Sequence, residues 1–313
     1  MKSKTSLFAA LFLLSFASVV VLSWTNPEKF VRQPPDTLNN LLIVPGQVLR
    51  IPPRLYHYDT IHIKENGVLK VNDNGAKWLV LNAKVIICDG SIEYTNFRRG
   101  VGNITFTLDG DENIDHTFNE GLGGAGGNGS GNGRQQGGMG YRSNDYNGGG
   151  GGSGAYYYGN PRANLSGIAA TDFRGAPSPG SSDKCFGGNG GRQPYGHGGL
   201  IYIIANKIQF GPSAKIILRG SNGVNGTAGG NGDCYGGGAV YYWGGGGGGG
   251  GSAGGNGGVL IVKCNNIVNE PVVDVNPGRG GAGGAGGSGV RCPFSGQAGT
   301  RGDDGEQGYA DWQ

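Results

Sequence analysis

Acidic side chains in the stretch DGDENIDHTFNE have the spacing of a calcium loop. Such a loop places oxygen ligands at positions 1, 3, 5, 7 and 12 and a glycine at position 6, between two helices. Here Ile114 stands at the sixth position, and the flanking sequence is typical of strands and glycine-rich segments. We interpret the stretch as a solvated acidic loop, with a calcium site as the alternative. The candidate ligands are Asp109, Asp111, Asn113, Asp115 and Glu120.

Residues that could form a catalytic centre are scattered. The histidines are His57, His62, His116 and His197. No nucleophile, histidine and carboxylate can be assigned to one catalytic set from their spacing, and no phosphate-binding loop motif is present. His62, in the alternating run TIHIK, is expected to point outward from a strand.

Polysaccharide cleavage is the strongest enzymatic alternative, because it needs paired carboxylates on one face of neighbouring strands. Asp89, Gly211 and Asn269 occupy about the same place in the three repeated units defined below, and they do not supply such a pair. We therefore predict that the protein is not an enzyme and that it holds no cofactor.

Two short motifs have alternative interpretations. Arg301-Gly302-Asp303 matches an adhesive tripeptide, although a glycine-rich stretch with scattered charges produces it by chance. Asn-x-Ser/Thr sequences are glycan acceptors in a eukaryotic secretory pathway. The candidate glycosylation sites are Asn103, Asn128, Asn164 and Asn225.

Charge and cysteine content exclude two classes of protein. The net charge is +3 and 15% of the residues are charged, which predicts no basic face for nucleic acid. Zinc sites use closely spaced cysteine pairs, whereas the five cysteines here are far apart. In an exported chain one or two disulfides are expected, and Cys88 and Cys264, inside apolar runs, are equally well interpreted as small buried hydrophobes. The cysteines are Cys88, Cys185, Cys234, Cys264 and Cys292.

The N-terminal segment predicts a membrane helix. Lys2 and Lys4 precede an uncharged apolar run from Leu7 to Trp24, which at about 1.5 Å per residue crosses most of a bilayer. The run is long, ends in an interfacial tryptophan and has no small-x-small cleavage site, so we favour an uncleaved anchor with the body on the exported face. A cleaved leader, ending near Ser23, would give a secreted protein.

Three segments share one pattern of strand, turn and strand. They are WLVLNAKVIICDGSIEYTNFRRG, IYIIANKIQFGPSAKIILRG and LIVKCNNIVNEPVVDVNPG, and a shorter relative begins at Thr60. We align Lys84, Lys207 and Asn266, and we expect Val80, Ile203 and Val262 to face one core. Such short strands bury their apolar faces by stacking, so the sequence predicts a mostly β fold with a short β-solenoid or β-sandwich core.

Glycine-rich tracts leave these units at equivalent places, over residues 121–199, 220–258 and 278–308. Glycine supplies 70 of 313 residues. In GQAGTRGDDGEQGYA, residues 296–310, it recurs at every third position, which matches the three residues per turn of a polyproline II helix. We expect these tracts to pack side by side as in polyglycine II. A disordered tail is one alternative, and collagen, which needs proline that this stretch lacks, is another.

This alternation of strand units with glycine tracts resembles the glycine-rich repeat proteins of microbial and viral surfaces. The tracts alone resemble the polyglycine II regions of phage tail-fibre adhesins and springtail antifreeze proteins. Antifreeze proteins usually present flat threonine or aliphatic faces, which are not found here. The adhesin resemblance implies aromatic contact residues on loops between glycine strands. The matching residues are Tyr156, Tyr157, Tyr158, Tyr241, Tyr242 and Trp243.

Together these features predict the class of protein and the order of its regions. We expect a non-enzymatic, membrane-anchored structural protein of a cell surface, virion or capsid-like assembly, with other subunits as partners. A glycan- or receptor-binding adhesin is the alternative. The predicted regions are the anchor or signal peptide (1–24), a linker with the first strands (25–59), β units (60–120, 200–220 and 259–276), glycine-rich lobes (121–199 and 221–258) and a glycine-rich C-terminal tract (277–313).

Overall fold

The fold is mostly strands, arranged around two parallel sheets. The structure, a computed structural model, describes residues 38–72, 78–95, 104–108, 112–116, 123–131, 136, 138–142, 147–153, 155–158, 168–178, 185–192, 196–235, 241–290 and 294–313. These ranges contain no helix, and so no apolar helix of membrane-spanning length. The apolar run from Leu7 to Trp24 lies outside the described residues.

The strands are short and occur throughout the described chain. In order they are β1 (Leu38–Ile43), β2 (Val48–Ile51), β3 (Leu55–Ile63), β4 (Val68–Val71), β5 (Trp78–Cys88), β6 (Ser91–Glu93), β7 (Ile104–Leu108), β8 (Glu112–His116), β9 (Tyr156–Tyr158), β10 (Leu200–Phe210), β11 (Lys215–Ile217), β12 (Gly232–Tyr235), β13 (Tyr241–Trp243), β14 (Val259–Cys264), β15 (Ile267–Val268), β16 (Val272–Asp274), β17 (Gly289–Val290) and β18 (Tyr309–Trp312).

Successive strands alternate between the two parallel sheets. The first sheet has the order β1-β3-β5-β10-β14-β18, with β15 also paired to β10, and the second has the order β2-β4-β6-β11-β16. We call each pair of consecutive strands, one in each sheet, a rung. Every rung adds one strand to the same edge of both sheets, so the chain coils as it advances.

The sequence-predicted repeat is confirmed at the level of its strands. The three long segments form the rungs β5–β6, β10–β11 and β14/β15–β16, and their strands are adjacent and parallel. The segment from Thr60 contributes to the rung β3–β4. The glycine-rich tracts follow the second-sheet strand of a rung and precede the first-sheet strand of the next, as their equivalent positions predicted.

Aliphatic side chains between the two sheets form the main core. Strand β3 alternates between buried and more exposed positions, so that Ile61 and Ile63 point inward and are fully buried. Removing each such side chain from water stabilises the fold by about 1.5–3 kcal/mol. The second sheet contributes Leu69, Ile92 and Ile216, which are also fully buried.

The predicted alignment of the first unit was wrong by one residue. Ala83 pairs with Ala205, so Lys84 lies beside Asn206, not Lys207. Adjacent residues of a strand point to opposite faces, and a slip of one residue therefore reverses the face. Val80 belongs to a second apolar cluster with Tyr202 and Ile261, whereas Ile203 and Val262 lie in the main core.

Several turns within the rungs need a left-handed backbone. Gly46 has φ 75°, Asn66 has φ 60° and Asn269 has φ 61°. Asparagine tolerates this region better than most residues because its short polar side chain bonds locally. The Asn269 side-chain amide donates to the Phe210 carbonyl oxygen of the neighbouring rung at 3.0 Å. These turns therefore help to join successive rungs.

The glycine-rich tracts form an ordered bundle beside the two sheets. Its extended segments bond laterally, and the bonds between any two neighbouring segments recur at every third residue. For example, Gly223, Gly226 and Gly229 donate to Arg279, Ala282 and Ala285, at 2.7–2.9 Å. We call this region the glycine bundle. Its segments are 123–130, 138–142, 147–153, 168–176, 185–191, 219–231, 244–258, 277–288 and 294–308.

The segment 244–258 lies at the centre of the glycine bundle. Its amides donate in turn to segments 294–308, 219–231 and 147–153, and its carbonyls accept from segments 123–130, 185–191 and 277–288. Each of these six neighbours also bonds to the next one, which closes a ring around the centre. Residues 244–251 are surrounded on every side and have no direction free for a side chain, whereas Ser252, Ala253 and Asn256 lie beyond the last hydrogen bonds to segments 123–130, 147–153 and 185–191. This explains the eight consecutive glycines at 244–251.

Candidate functional site

The predicted aromatic contact residues come together in one small sheet. Strands β9 and β13 pair antiparallel, with Tyr156 opposite Trp243, Tyr157 opposite Tyr242 and Tyr158 opposite Tyr241. Strand β12 pairs with the other side of β13 and is parallel to β17. We call the four strands β9, β12, β13 and β17 the aromatic tip.

The glycine bundle separates the aromatic tip from the two parallel sheets. Segment 219–231 leads from β11 to β12, and segment 244–258 leads from β13 back to β14. Both segments are extended and paired along their length. At about 3.1 Å per residue, the twelve residues 220–231 span roughly 37 Å. The tip is thus held far from the sheets by a hydrogen-bonded support.

A polar cleft lies on the second sheet where the glycine bundle begins. Its volume is about 570 Å³. Lys70 Nζ lies 3.3 Å from Glu93 Oε2, and Arg219 Nη1 lies 3.9 Å from Asp274 Oδ2. Glu93, Ile217 and Asp274 occupy one row across β6, β11 and β16. The cleft can therefore contact a polar ligand with charges of both signs.

This cleft corrects the sequence-based search for paired carboxylates. The pair was sought at Asp89 and its equivalents, in the turns, but two carboxylates of different rungs share a row at Glu93 and Asp274. Two strand spacings separate their backbones by about 9.6 Å. The ion pairs with Lys70 and Arg219 give both carboxylates a role in joining rungs. The second strand of each unit is only three residues long, too short for its register to be read from sequence.

The calcium candidates do not all lie within the described residues. Asn113 and Asp115 are in strand β8, where they pair with Thr107 and Thr105 of β7. Asp109, Asp111 and Glu120 lie outside the described residues. Among the residues that the structure does describe, no group of three or more histidine, cysteine, aspartate or glutamate residues is placed to hold a metal ion.

The histidines occupy different environments. His57 and His62 are in β3, and His62 points away from the core as predicted, with Nε2 3.8 Å from Asp89 Oδ2. His116 is in β8. His197 is buried, its Nδ1 accepts from the Asn256 amide at 3.0 Å, and desolvation lowers the pKa of its side chain.

The adhesive tripeptide is built into the glycine bundle. Gly302 is buried and its amide donates to the Gly281 carbonyl at 3.0 Å. The Arg301 side chain pairs with Asp304, and the Asp303 carbonyl accepts from the Gly254 amide at 2.9 Å. The backbone of this motif therefore takes part in the hydrogen bonds of the glycine bundle.

Two of the glycosylation candidates have a structural role. Asn128 Oδ1 accepts from the Gly140 amide, and Asn225 Oδ1 accepts from the Ala282 amide, both at 2.8 Å. Both asparagines are exposed. Asn103 and Asn164 lie outside the described residues.

The described free thiols are buried or half-buried. Burial raises the pKa of Cys88 to about 12 and that of Cys185 to about 11. Cys264 packs against the main core, and its thiol donates to the Asn266 carbonyl at 3.3 Å. Cys88 and Cys264 thus pack as small hydrophobes. Cys234 is in β12, and Cys292 lies outside the described residues.

Side-chain acceptors along the edge of the glycine bundle were missed in the sequence. Asn222, Asn225 and Asn231 share one phase of the three-residue period, and each accepts from the backbone amide 57 residues later at 2.8–2.9 Å. Thr300 Oγ1 accepts from the Ala125 amide at 2.7 Å. Thr300 is exposed, and its side chain joins segments 294–308 and 123–130. The signal that could have revealed the asparagines is their spacing by multiples of three.

Comparison of the chain with protein-family models, curated protein sequences and solved structures finds no match. The class of protein must therefore be inferred from the two parallel sheets, the glycine bundle and the sites described above.

Proposed function

We propose that the protein is a non-enzymatic, membrane-anchored structural component of a cell-surface or virion assembly. In this proposal the two sheets form a short β-solenoid, and the glycine bundle is a polyglycine II lobe that projects from it. The observation that carries the proposal is the closed ring of six bonded segments around 244–258.

The bonding of the lobe supports a mechanical role. A free glycine-rich linker is a flexible coil, and a three-per-turn helix has no internal hydrogen bonds. Here the order comes from lateral bonds between different parts of one chain, which hold each segment at a set distance from its neighbours. Such a lobe acts as a spacer or packing module of defined shape. This role depends on the fixed positions of its segments and not on a chemical reaction.

The membrane part of the proposal comes from the sequence. The run from Leu7 to Trp24 would be an anchor, with the solenoid and lobe on the exported face. Membrane lipid and neighbouring subunits are the proposed partners, and nucleic acid is not. If the leader is removed, the protein would be secreted.

The test uses the full chain in its native membranes. Extraction with alkaline carbonate should leave the chain in the membrane, and cross-linking mass spectrometry should find contacts between copies or with other subunits. Intact-mass analysis should find the Leu7 to Trp24 segment retained. A chain that is released by carbonate, begins near Trp24 and forms no intersubunit cross-links would contradict the proposal.

An adhesin is the second candidate, and the aromatic tip favours it. Six aromatic residues of β9 and β13 are adjacent at the end of the lobe furthest from the solenoid. Aromatic side chains contribute large contact areas to binding sites. Glycan-array binding by the purified protein, lost in Tyr157→Ser and Tyr242→Ser but kept in Tyr309→Ser, would support this role. Equal signals for all three variants would argue against it.

A further inference from the structure

In the first sheet, the outer side of strands β14 and β15 is only partly covered. Strand β18 pairs with β14 from Val259 to Val262, and Gln313 extends this pairing because its carbonyl accepts from the Cys264 amide at 3.0 Å. Strand β15 pairs with β10 on one side. Within the described ranges no strand pairs with the other side of β15, or with the outer side of β16 in the second sheet.

The first rung has the complementary gap. Strand β1 covers only the last six of the nine residues of β3, from Tyr58 to Ile63. Following the register through β5 and β10, the row that contains Leu42 also contains Val268 of β15. The six residues of β1 and the five residues 309–313 occupy different rows. Together they would fill the eleven rows of β5.

Exposed aliphatic side chains stand in matching rows at the two ends. In the first sheet, Leu42 is 51% exposed and Val268 is 37% exposed. In the second sheet, Val48 is 48% exposed and shares a row with Val272, which is 61% exposed. Open parallel-sheet edges are templates for pairing with another chain. Each end thus offers apolar surface where the other does.

Charge complementarity sets the same register. Arg50 of β2 and Asp274 of β16 belong to one row, which runs through Lys70, Glu93 and Ile217. If the first rung of one copy stacked on the last rung of another, this row would bring Arg50 beside Asp274. A slip by one residue would lose this charge match and would place inward side chains outside.

We propose that copies of this chain stack head to tail, with β1 and β2 of one copy pairing in parallel with β15 and β16 of the next. Residues 309–313 of one copy and β1 of the other then fill one complete strand position in the first sheet. Because the two surfaces differ, the contact is heterologous and leaves both ends of a row of copies open for further addition. The inference rests on the proposed structural function and identifies its partner as a second copy. Anchoring to a membrane raises the effective concentration at which this contact forms.

Disulfide trapping tests the register in the full chain. Purified Leu42→Cys protein is mixed with purified Val268→Cys protein and mildly oxidised. Neighbouring strands place Cα atoms about 4.8 Å apart, within the range of a disulfide. We expect a cross-linked dimer, at least tenfold more than with wild-type protein. The matched control pairs Leu42→Cys with Val272→Cys, which lie in different sheets and should not cross-link. Trapping of Leu42→Cys with itself would overturn the proposal, because it indicates a head-to-head contact.

A mixing experiment tests the proposed polarity without cysteine. Val48→Lys blocks one end and Val272→Lys blocks the other, so each variant alone should sediment as a monomer. Wild-type protein should form oligomers whose mass grows with concentration, whereas an equimolar mixture of the variants should stop at a dimer. Formation of a dimer or a larger oligomer by either variant alone would overturn the proposal. If intersubunit cross-links persist in native membranes when these results fail, the structural function stands and only the head-to-tail contact is wrong.

Discussion

Replacing Gly248 by alanine adds one methyl group to the centre of the glycine bundle. The amide of Gly248 donates to the Gln297 carbonyl, and its carbonyl accepts from the Gly127 amide. A Cβ atom at this position would lie 2.0 Å from the Gly284 carbonyl oxygen and 2.5 Å from the Gly284 carbonyl carbon. Both atoms belong to backbone, so no side-chain rotation relieves the clash.

The expected loss of stability follows from this geometry. Carbon and oxygen atoms normally approach to about 3.3–3.6 Å, so segments 244–258 and 277–288 must separate by more than about 1 Å. Overpacking costs roughly 1–3 kcal/mol. The bond from the Gly284 amide to the Gly249 carbonyl, now 2.7 Å, would also weaken, at about 1–3 kcal/mol for a buried pair. The total is about 2–6 kcal/mol, a large part of a typical unfolding free energy of about 5–15 kcal/mol.

Thermal unfolding followed by circular dichroism measures this loss. The matched control is Ala285→Val, which adds carbon atoms on the same neighbouring segment at an exposed position. We expect Gly248→Ala to lower the Tm by on the order of 10 °C, and Ala285→Val to change the unfolding free energy by no more than about 0.5 kcal/mol. If both variants have the Tm of the wild type, close backbone packing between segments is not the source of order in the glycine bundle.

Other predictions concern protonation, edge bonding and thiol reactivity. Because burial lowers the pKa of His197 below its ordinary value of 6.5, the unfolded chain binds the proton more tightly. The contribution of His197 is therefore complete above pH 6.5 and decreases as the pH falls towards the folded pKa. His197→Gln should flatten this slope in urea titrations at several pH values. Asn225→Ala should cost only about 1 kcal/mol in a thermal melt, since water can reach the exposed Ala282 amide that it leaves without its acceptor. Peptide mapping after alkylation at pH 8 should find Cys88 unmodified until the protein unfolds, because burial raises its pKa to about 12, whereas half-buried Cys264 should react in the folded protein.

The strand units could be predicted from sequence because local patterns define them. Apolar runs, turn residues and the equal order of strand, turn and strand were sufficient to pair β5–β6, β10–β11 and β14/β15–β16. Their exact register could not be read in the same way. In Trp78–Cys88 most residues are apolar on both faces, so the sequence contains no clear alternation to show that Val80 points away from the main core.

The period of three in the glycine tracts predicted extended segments but not their neighbours. Lateral bonds join residues far apart in the chain, such as Ala125 and Thr300, 175 positions apart. No local pattern specifies such a partner. The aromatic residues of β9 and β13 were expected on loops between glycine strands. Their direct pairing depends on the hydrogen bonds that bring segment 147–153 beside segment 244–258. The row of Glu93 and Asp274 was missed for the same reason, since it is defined only when the rungs stack.

The number of glycines in each triplet nevertheless contains information about position in the bundle. Segment 244–258 has six bonded neighbours and segment 147–153 has five, and both contain runs in which every residue is glycine. Segments 123–130 and 185–191 have four neighbours and two glycines per triplet, and segments with three neighbours have either two, as in 277–288, or one, as in 294–308. A three-per-turn helix directs its side chains outward in three directions, and each direction that meets backbone excludes a Cβ atom. The all-glycine runs therefore mark the segments with the most bonded neighbours, although they do not say which segments those neighbours are. A sequence selected only for flexibility has no reason to place its all-glycine runs in the segments with the most neighbours, and this placement is a physical argument for a closely packed glycine bundle.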